Sequence, residues 1–251
     1  MPPIASDPWL SDRFGYDVYR VVPTPDATSL LVEHRASIPR AFYYVKIPVT
    51  ATSDIAAFSE AAFRVVETHI AFRADPHEVE PRSVAVADGV TVGDLPDLHE
   101  DAMAIAATCF RYSRFHLDPF VPDALAHAIK REWVRSYTRR ERGDRLFIAA
   151  RGGRAIGFLA ALRADVHGEP CAVIDLMGVH PDAQGIGVGS LLIRSFADAY
   201  RGTVAALHVG TQAANIPSVR CYERMGFRLA SAAYILHLHH QQAAVPIATR
   251  A

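Results

Sequence analysis

Cysteine is scarce in this chain: Cys109, Cys171 and Cys221 are the only three in 251 residues. The number is odd and no C-x-x-C occurs, so neither a disulfide framework nor a zinc cage is expected and no metal site is assigned. A reducing, cytoplasmic setting follows as the expectation. No apolar run approaches the length of a membrane span, which excludes a membrane helix. Met1 to Asp12 lacks a basic end followed by an apolar core, so no export signal is expected. Neither sign of charge is in excess, with 26 Lys and Arg against 27 Asp and Glu. That balance argues against a nucleic-acid partner. The one basic run, Lys130 to Arg145, is broken by Glu132, Glu141 and Asp144, as a solvated helix face would be. What is present is apolar: 50% of residues are hydrophobic, enough for one large or two small soluble domains.

The stretch Val173 to Ser190, V-I-D-L-M-G-V-H-P-D-A-Q-G-I-G-V-G-S, carries the strongest signal. An apolar β-branched run meets a Pro-containing turn, then Gly185, Gly187 and Gly189, then the helical pattern S-L-L-I-R-S-F-A-D-A-Y. The order predicts strand, glycine-rich loop, helix N-terminus. Such a terminus offers unpaired N–H groups at the positive end of the helix dipole, and glycines let a phosphate approach. The spacing fits neither the dinucleotide fingerprint G-x-G-x-x-G nor the P-loop, which needs a Lys after its last glycine. A plain glycine-rich turn is the bland alternative.

A second block follows after a buried strand at Thr203–Val209. It reads N-I-P-S-V-R-C-Y-E-R-M-G-F, from Asn215 to Phe227. Asn215 suits an N-cap, Pro217 the first turn, and Gly226 a helix terminator. The Q-x-x-G-x-G pattern at 184–189 and the order N…S…Y…G-F after a strand together resemble the GNAT superfamily of acetyl-CoA N-acetyltransferases. The resemblance implies an α/β (α+β) fold with a mixed, mostly antiparallel sheet flanked by helices. It implies acetyl-CoA as co-substrate and a small-molecule amine as acceptor.

The module runs from Arg82 to about His239: a first strand at Val84–Ala87, a helix from Asp94 to about Cys109, and a second helix from near Pro122. Leu146–Ala150 and Ala155–Leu162 form a hairpin about Gly152-Gly153, and Ser231–His239 is the closing strand. That strand offers an exposed edge on which two copies can pair as a homodimer. Residues 1–80 make a separate, smaller α/β domain, either a degenerate copy of the same fold or a family-specific addition. It has strands at Phe14–Val22, Ala41–Ile47 and Val65–Ala74, and helices near Ala27–Arg35 and Asp54–Phe63. Pro76 and Pro81 bracket the boundary, 81–242 is the acetyltransferase domain, and 243–251 is a tail. Asp12-Arg13-Phe14-Gly15-Tyr16, Phe110 to Phe115 and Thr211 to Asn215 add a resemblance to dTDP-fucosamine acetyltransferases. That likeness implies the amine of a nucleotide-linked amino sugar as acceptor.

On the family pattern, Met177, Gly178 and Val179 meet the pantetheine arm, with a bulge or a close backbone approach at Gly178 and the Val179 N–H on the thioester oxygen. Gln184, Gly185, Gly187, Val188, Gly189 and Ser190 hold the diphosphate, and Asn215 and Ser218 bind from the other side. Tyr222 protonates the leaving thiolate. Asp175, in an otherwise apolar strand, is the candidate base if burial raises its pKa; its alternative is a carboxylate tied to backbone or to an Arg. His116, His180 and His208 are further candidates for the base. Arg111, Tyr112, Arg114, His116 and Asp118, on the loop from Phe110 to Pro122, are the acceptor-binding set. Other acceptors fit the same module: a polyamine, an amino acid, an aminoglycoside or a protein N-terminus. A non-catalytic acyl-CoA sensor is the reading outside enzymology. His237 and His239 share a strand face without a third ligand type, so they are not taken as a metal site.

Overall fold

The computed structural model describes residues 2–79, 88–166 and 168–241. A short strand β1 (Ile4–Ser6) and helix α1 (Pro8–Phe14) lead to β2 (Asp17–Val21), α2 (Ala27–Ala36), β3 (Arg40–Pro48), α3 (Thr52–Glu60) and β4 (Arg64–Ala74). Phe14, expected to open a strand, ends a helix instead. The cause is local: Asp7 accepts from the Leu10 N–H at 3.0 Å and Pro8 sits in the first turn, so a capped helix starts there. Then follow β5 (Thr91–Gly93), α4 (His99–Ala106), α5 (Asp123–Thr138), β6 (Arg145–Arg151), β7 (Arg154–Val166), β8 (Glu169–Val179), α6 (Val188–Tyr200), β9 (Ala206–Gln212), α7 (Ile216–Arg224) and β10 (Arg228–Gln241). No described helix is long and apolar enough to cross a membrane.

Two compact units emerge, one of residues up to 68 with those from 233 on, the other His69–Ala232. They do not divide at 80, because β4 continues past Thr68 to pair with β9, and β10 continues past Ala232 to pair with β3. Glu80 to Ala87, which hold the proline-bracketed boundary and the strand expected at Val84–Ala87, lie outside the described residues, as does the 243–251 tail.

In the first unit the strand order is β1-β2-β3-β10, with β2 and β3 parallel and the outer pairs antiparallel. Leu31 of α2 and Phe58 of α3 pack on Tyr43, Val45 and Leu236 of that sheet. Of the two adjacent tyrosines, Tyr43 is fully buried while the Tyr44 hydroxyl donates to Asp7 at 2.8 Å, as strand alternation requires. Ala233–Gln241 is paired along its length with β3. The edge on which self-pairing was expected is therefore used within the chain.

The second unit has the order β4-β9-β8-β7-β6-β5, in which β8 and β9 alone run parallel. Such a sheet is mixed and mostly antiparallel, flanked by helices on both faces. One face packs Ile174, Leu207 and Val209 on Leu192 and Phe196 of α6 and Tyr222 of α7. The opposite face packs Ile148, Phe158 and Leu176 on Met103 of α4 and Val134 and Tyr137 of α5.

Candidate active site

The glycine-rich turn between β8 and α6 holds the geometry its sequence predicts. Gly185 has φ +79° and Gly187, the N-cap of α6, has φ +87°. An L-residue in that region costs roughly 1–2 kcal/mol, so glycine is required at both places. The first bond into the helix runs from the Leu191 N–H to the Gly187 carbonyl at 3.0 Å. The N–H groups of Gly185 to Ser190 bond to no described residue. Gly189 is the third glycine, and a Cβ there would meet only ordinary contacts at 3.8 and 4.0 Å. Gln184 ties the turn to the strand, its Nε2 donating to the Val179 carbonyl at 3.2 Å. The result is a row of unpaired donors at the positive end of a 13-residue helix, a natural seat for a diphosphate.

Beside it the sheet opens. β8 and β9 pair over Cys171–Ile174 and Ala206–Val209, and then each continues with a partner on its far side only. The His180 N–H bonds to the Ile156 carbonyl on β7 at 2.9 Å. By strand alternation the N–H groups of Met177 and Val179 point the other way, into the gap between β8 and β9. The Val179 amide is thus free to meet an oxygen entering that gap.

The bulge in β8 lies at Asp175, not at Gly178 as expected. Ala160 faces Leu176 and Ala161 faces Ile174, which leaves Asp175 as the extra residue. Gly178 instead fits the other reading, a close approach to its backbone: a Cβ would lie 2.6 Å from Cys109 Sγ and 2.8 Å from Phe158 Cε1. Close packing against the Cys109 thiol fixes that position.

Because of the bulge, Asp175 and Leu176 both face α5. There the carboxylate accepts from the Trp133 indole and the Tyr137 hydroxyl, each at 2.7 Å, and from Arg142 Nε at 2.7 Å and Nη2 at 3.0 Å. Burial pushes its pKa up, but the Arg142 bonds and charge, with the Trp133 and Tyr137 bonds, outweigh it, and the net shift is downward. Asp175 is a locked carboxylate, which removes it from the role of base. The clamp residues Trp133, Tyr137 and Arg142 escaped sequence reading. Their signal is an indole and a phenol at i, i+4 on the buried face of α5. Nor is the basic run a wholly solvated face. The Lys130 side chain is buried, its ammonium 5.0 Å from the ring centres of both Phe110 and Trp133.

On the far side of the gap, β9 leads into α7. Asn215 is its N-cap, accepting from the Ser218 N–H at 3.4 Å while its own amide donates to Thr211 Oγ1 at 3.4 Å. Two turns later Tyr222 is 4% exposed and packs on Phe72 and Phe227. Its hydroxyl bonds to no described residue. Burial, with Cys221 alongside, pushes its pKa up, so at neutral pH the phenol holds its proton and has one to donate.

The loop from Phe110 to Pro122 divides the proposed acceptor set. Arg111 and Tyr112 are exposed, and the Arg114 guanidinium lies 4.6 Å from the centre of the Phe115 ring. His116 faces inward, with Nδ1 2.7 Å from Ser113 Oγ and Nε2 3.2 Å from His127 Nδ1. Burial, then His127 and Lys130, push it down to about 4. Asp118 is 3% exposed and accepts from the Phe120 N–H at 2.9 Å. His116 and Asp118 thus shape the loop rather than present free groups. His180 caps a turn, its Nδ1 accepting from the Asp182 N–H at 3.3 Å. His208 lies on β9 beside Arg73 of β4, whose guanidinium holds Glu169 at 3.0 and 3.1 Å.

The chain belongs to the acetyltransferase (GNAT) family, whose model matches residues 100–227 and whose co-substrate is acetyl-CoA. Over 138 residues it is 30% identical to the spore coat polysaccharide biosynthesis protein SpsD of Bacillus subtilis, a match that covers 53% of this chain and 45% of that one. Over 86 residues it is 37% identical to the mycothiol acetyltransferase of Thermomonospora curvata, covering 33% and 27%. The chain thus spans less than half the length of the curated relatives it matches. Among solved structures, a GCN5-related N-acetyltransferase from Sphaerobacter thermophilus superposes with a TM-score of 0.62 at 15% identity, over 95% of this chain and 76% of that one.

Proposed function

We propose that this protein transfers the acetyl group of acetyl-CoA directly to the amine of a small molecule, and that the acceptor is a nucleotide-linked amino sugar. The observation that carries the transfer is the row of unpaired amides from Gly185 to Ser190 beside the opening of β8 from β9. Those amides bind the diphosphate, and Gln184 braces the turn that presents them. Met177, Gly178 and Val179 line the arm of the coenzyme, with Asn215 and Ser218 opposite. The Val179 N–H stabilises the charge that grows on the thioester oxygen as the amine attacks. The new C–N bond forms as the C–S bond breaks, the Tyr222 hydroxyl gives its proton to the departing sulfur, and the proton that the nitrogen sheds as the amide forms returns to the phenolate. Burial holds this phenol above its ordinary value near ~10, so it still carries its proton when the thiolate forms beside it. Holding donor and acceptor in register is worth roughly 7–11 kcal/mol. Few other groups are then needed, and an amino-sugar amine sheds its proton more readily than a lysine does.

The acceptor class rests on the likeness to SpsD, a polysaccharide biosynthesis protein, and on the composition of the acceptor loop. Arg111 and Arg114 supply charge for a sugar-linked diphosphate, and Tyr112 supplies an aromatic face. His116 and Asp118 act beneath them. The free cysteines suit a reducing cytoplasm. A thiol-release assay with acetyl-CoA tests the proposal against dTDP-4-amino-4,6-dideoxyhexoses, polyamines and a peptide N-terminus. Turnover on the nucleotide sugars is expected. Turnover on the peptide alone overturns the acceptor class.

A further inference from the structure

The first unit repeats, in backbone detail, the half of the chain that carries the glycine turn. Parallel strands β2 and β3 with α2 between them, then α3 and β4, mirror β8, α6, β9, α7 and β10 in order and direction. The last strand of each series pairs antiparallel beside the second parallel strand of the other: β4 on β9, and β10 on β3. α3 and α7 have nine residues each, and their N-caps share one conformation, Ala51 at φ −86°, ψ 64° and Asn215 at φ −85°, ψ 64°. The closing turns agree bond for bond. Phe63 N–H donates to the Phe58 carbonyl and Phe227 N–H to the Tyr222 carbonyl, both at 3.0 Å. Ala62 and Gly226, one residue earlier, both have positive φ, +71° and +91°. An alanine held at positive φ is uncommon, so its coincidence with Gly226 marks a shared turn rather than a general helix ending.

Laid on one another, the two halves differ at the positions given to the chemistry. Phe58 stands where Tyr222 carries its hydroxyl, and Ala51 where Asn215 carries its amide. The turn before α2 contains Pro23 and Pro25, which have no N–H, in place of the glycines. Its N-cap is Asp26, whose Oδ1 accepts from Thr24 Oγ1 at 2.8 Å, and the Ala27 N–H is taken by the Thr24 carbonyl at 3.0 Å. A carboxylate therefore stands where a phosphate would have to enter, and like charges repel there.

We infer that the first unit is a duplicate of the coenzyme-binding half from which the donors have been removed, so that each chain holds one coenzyme A. The inference rests on the function proposed above for the glycine turn. The duplicate keeps its fold because β4 is needed beside β9.

Titration calorimetry of the full chain with coenzyme A is the test. One equivalent per chain is expected. Asp26→Ala should leave that equivalent and its affinity unchanged. Gly187→Asp, which copies the carboxylate of the first turn into the second, should weaken binding at least tenfold. Ser190→Asp should do the same; the Ser190 side chain is buried, so a thermal melt of each variant separates lost binding from lost fold. Two equivalents overturn the inference and leave the proposed function standing, whereas one equivalent that survives in a folded Ser190→Asp chain overturns both. No heat from the unaltered chain overturns both.

Discussion

The Trp133 indole N–H donates to Asp175 Oδ2 at 2.7 Å, fastening α5 to the one residue of β8 that has no counterpart on β7. Together with Tyr137 and Arg142 it fills the carboxylate's hydrogen-bonding capacity at the place where β8 leaves β9. The clamp is a structural device at the mouth of the candidate site, and it turns an apparent base into a brace.

Replacing Asp175 with Asn should therefore act on stability and not on proton transfer. The amide retains one acceptor and loses the ion pair with Arg142, at a cost of about 2 kcal/mol, in the range for hydrogen bonds to charged groups. Urea unfolding would read that loss. The acid limb of the turnover profile should stay at its original pH, and a limb that disappears would restore Asp175 as the base.

Tyr222→Phe removes only a hydroxyl that no described residue holds. Coenzyme affinity should persist while turnover falls by about 10²–10⁴, the usual worth of a positioned general acid. Stopped-flow thiol release beside calorimetry separates the two quantities. Undiminished turnover would exclude Tyr222 from the reaction.

Gly178→Ala drives a methyl group to within 2.6 Å of Cys109 Sγ. Overpacking of this kind costs typically 1–3 kcal/mol. The double variant Gly178→Ala, Cys109→Ala should recover part of the loss, because the two positions share one volume. Strictly additive melting shifts would show that the pair does not interact.

Acid should weaken the protein before its carboxylates titrate. Burial, then His127 and Lys130, hold His116 down to about 4, whereas an unfolded histidine titrates near ~6.5. Between those values the unfolded chain binds the proton first. Stability is thus whole above about 6.5 and declines as pH falls toward 4. Thermal melts across that window should show a shallower decline for His116→Gln than for the native chain; parallel curves would refute the assignment.

Local signals in the sequence carried the turns and caps. The glycines of the turn, Asn215 as a cap and Gly152-Gly153 as a hairpin are short-range features whose chemistry is written in adjacent residues. The bulge was not legible, since V-I-D-L-M reads as regular alternation until the partner strand is present to leave Asp175 over. Trp133 reads as an ordinary member of an apolar face with Leu125, Ile129 and Val134, because nothing local says which polar atom it or Tyr137 reaches. The likeness between A-A-F-R at 61–64 and M-G-F-R at 225–228 is too short to carry weight in the sequence alone. Matched torsion angles give it meaning.

The crossed placement of β4 and β10 bears on how this molecule tolerates dissection. A fragment beginning at residue 81, where the prolines invite a cut, would leave β9 with a bare antiparallel side. One ending before residue 233 would do the same to β3. Raw strand edges of that kind recruit other chains, so either fragment should aggregate, and the catalytic half should be obtainable in soluble form only with its upstream companion attached.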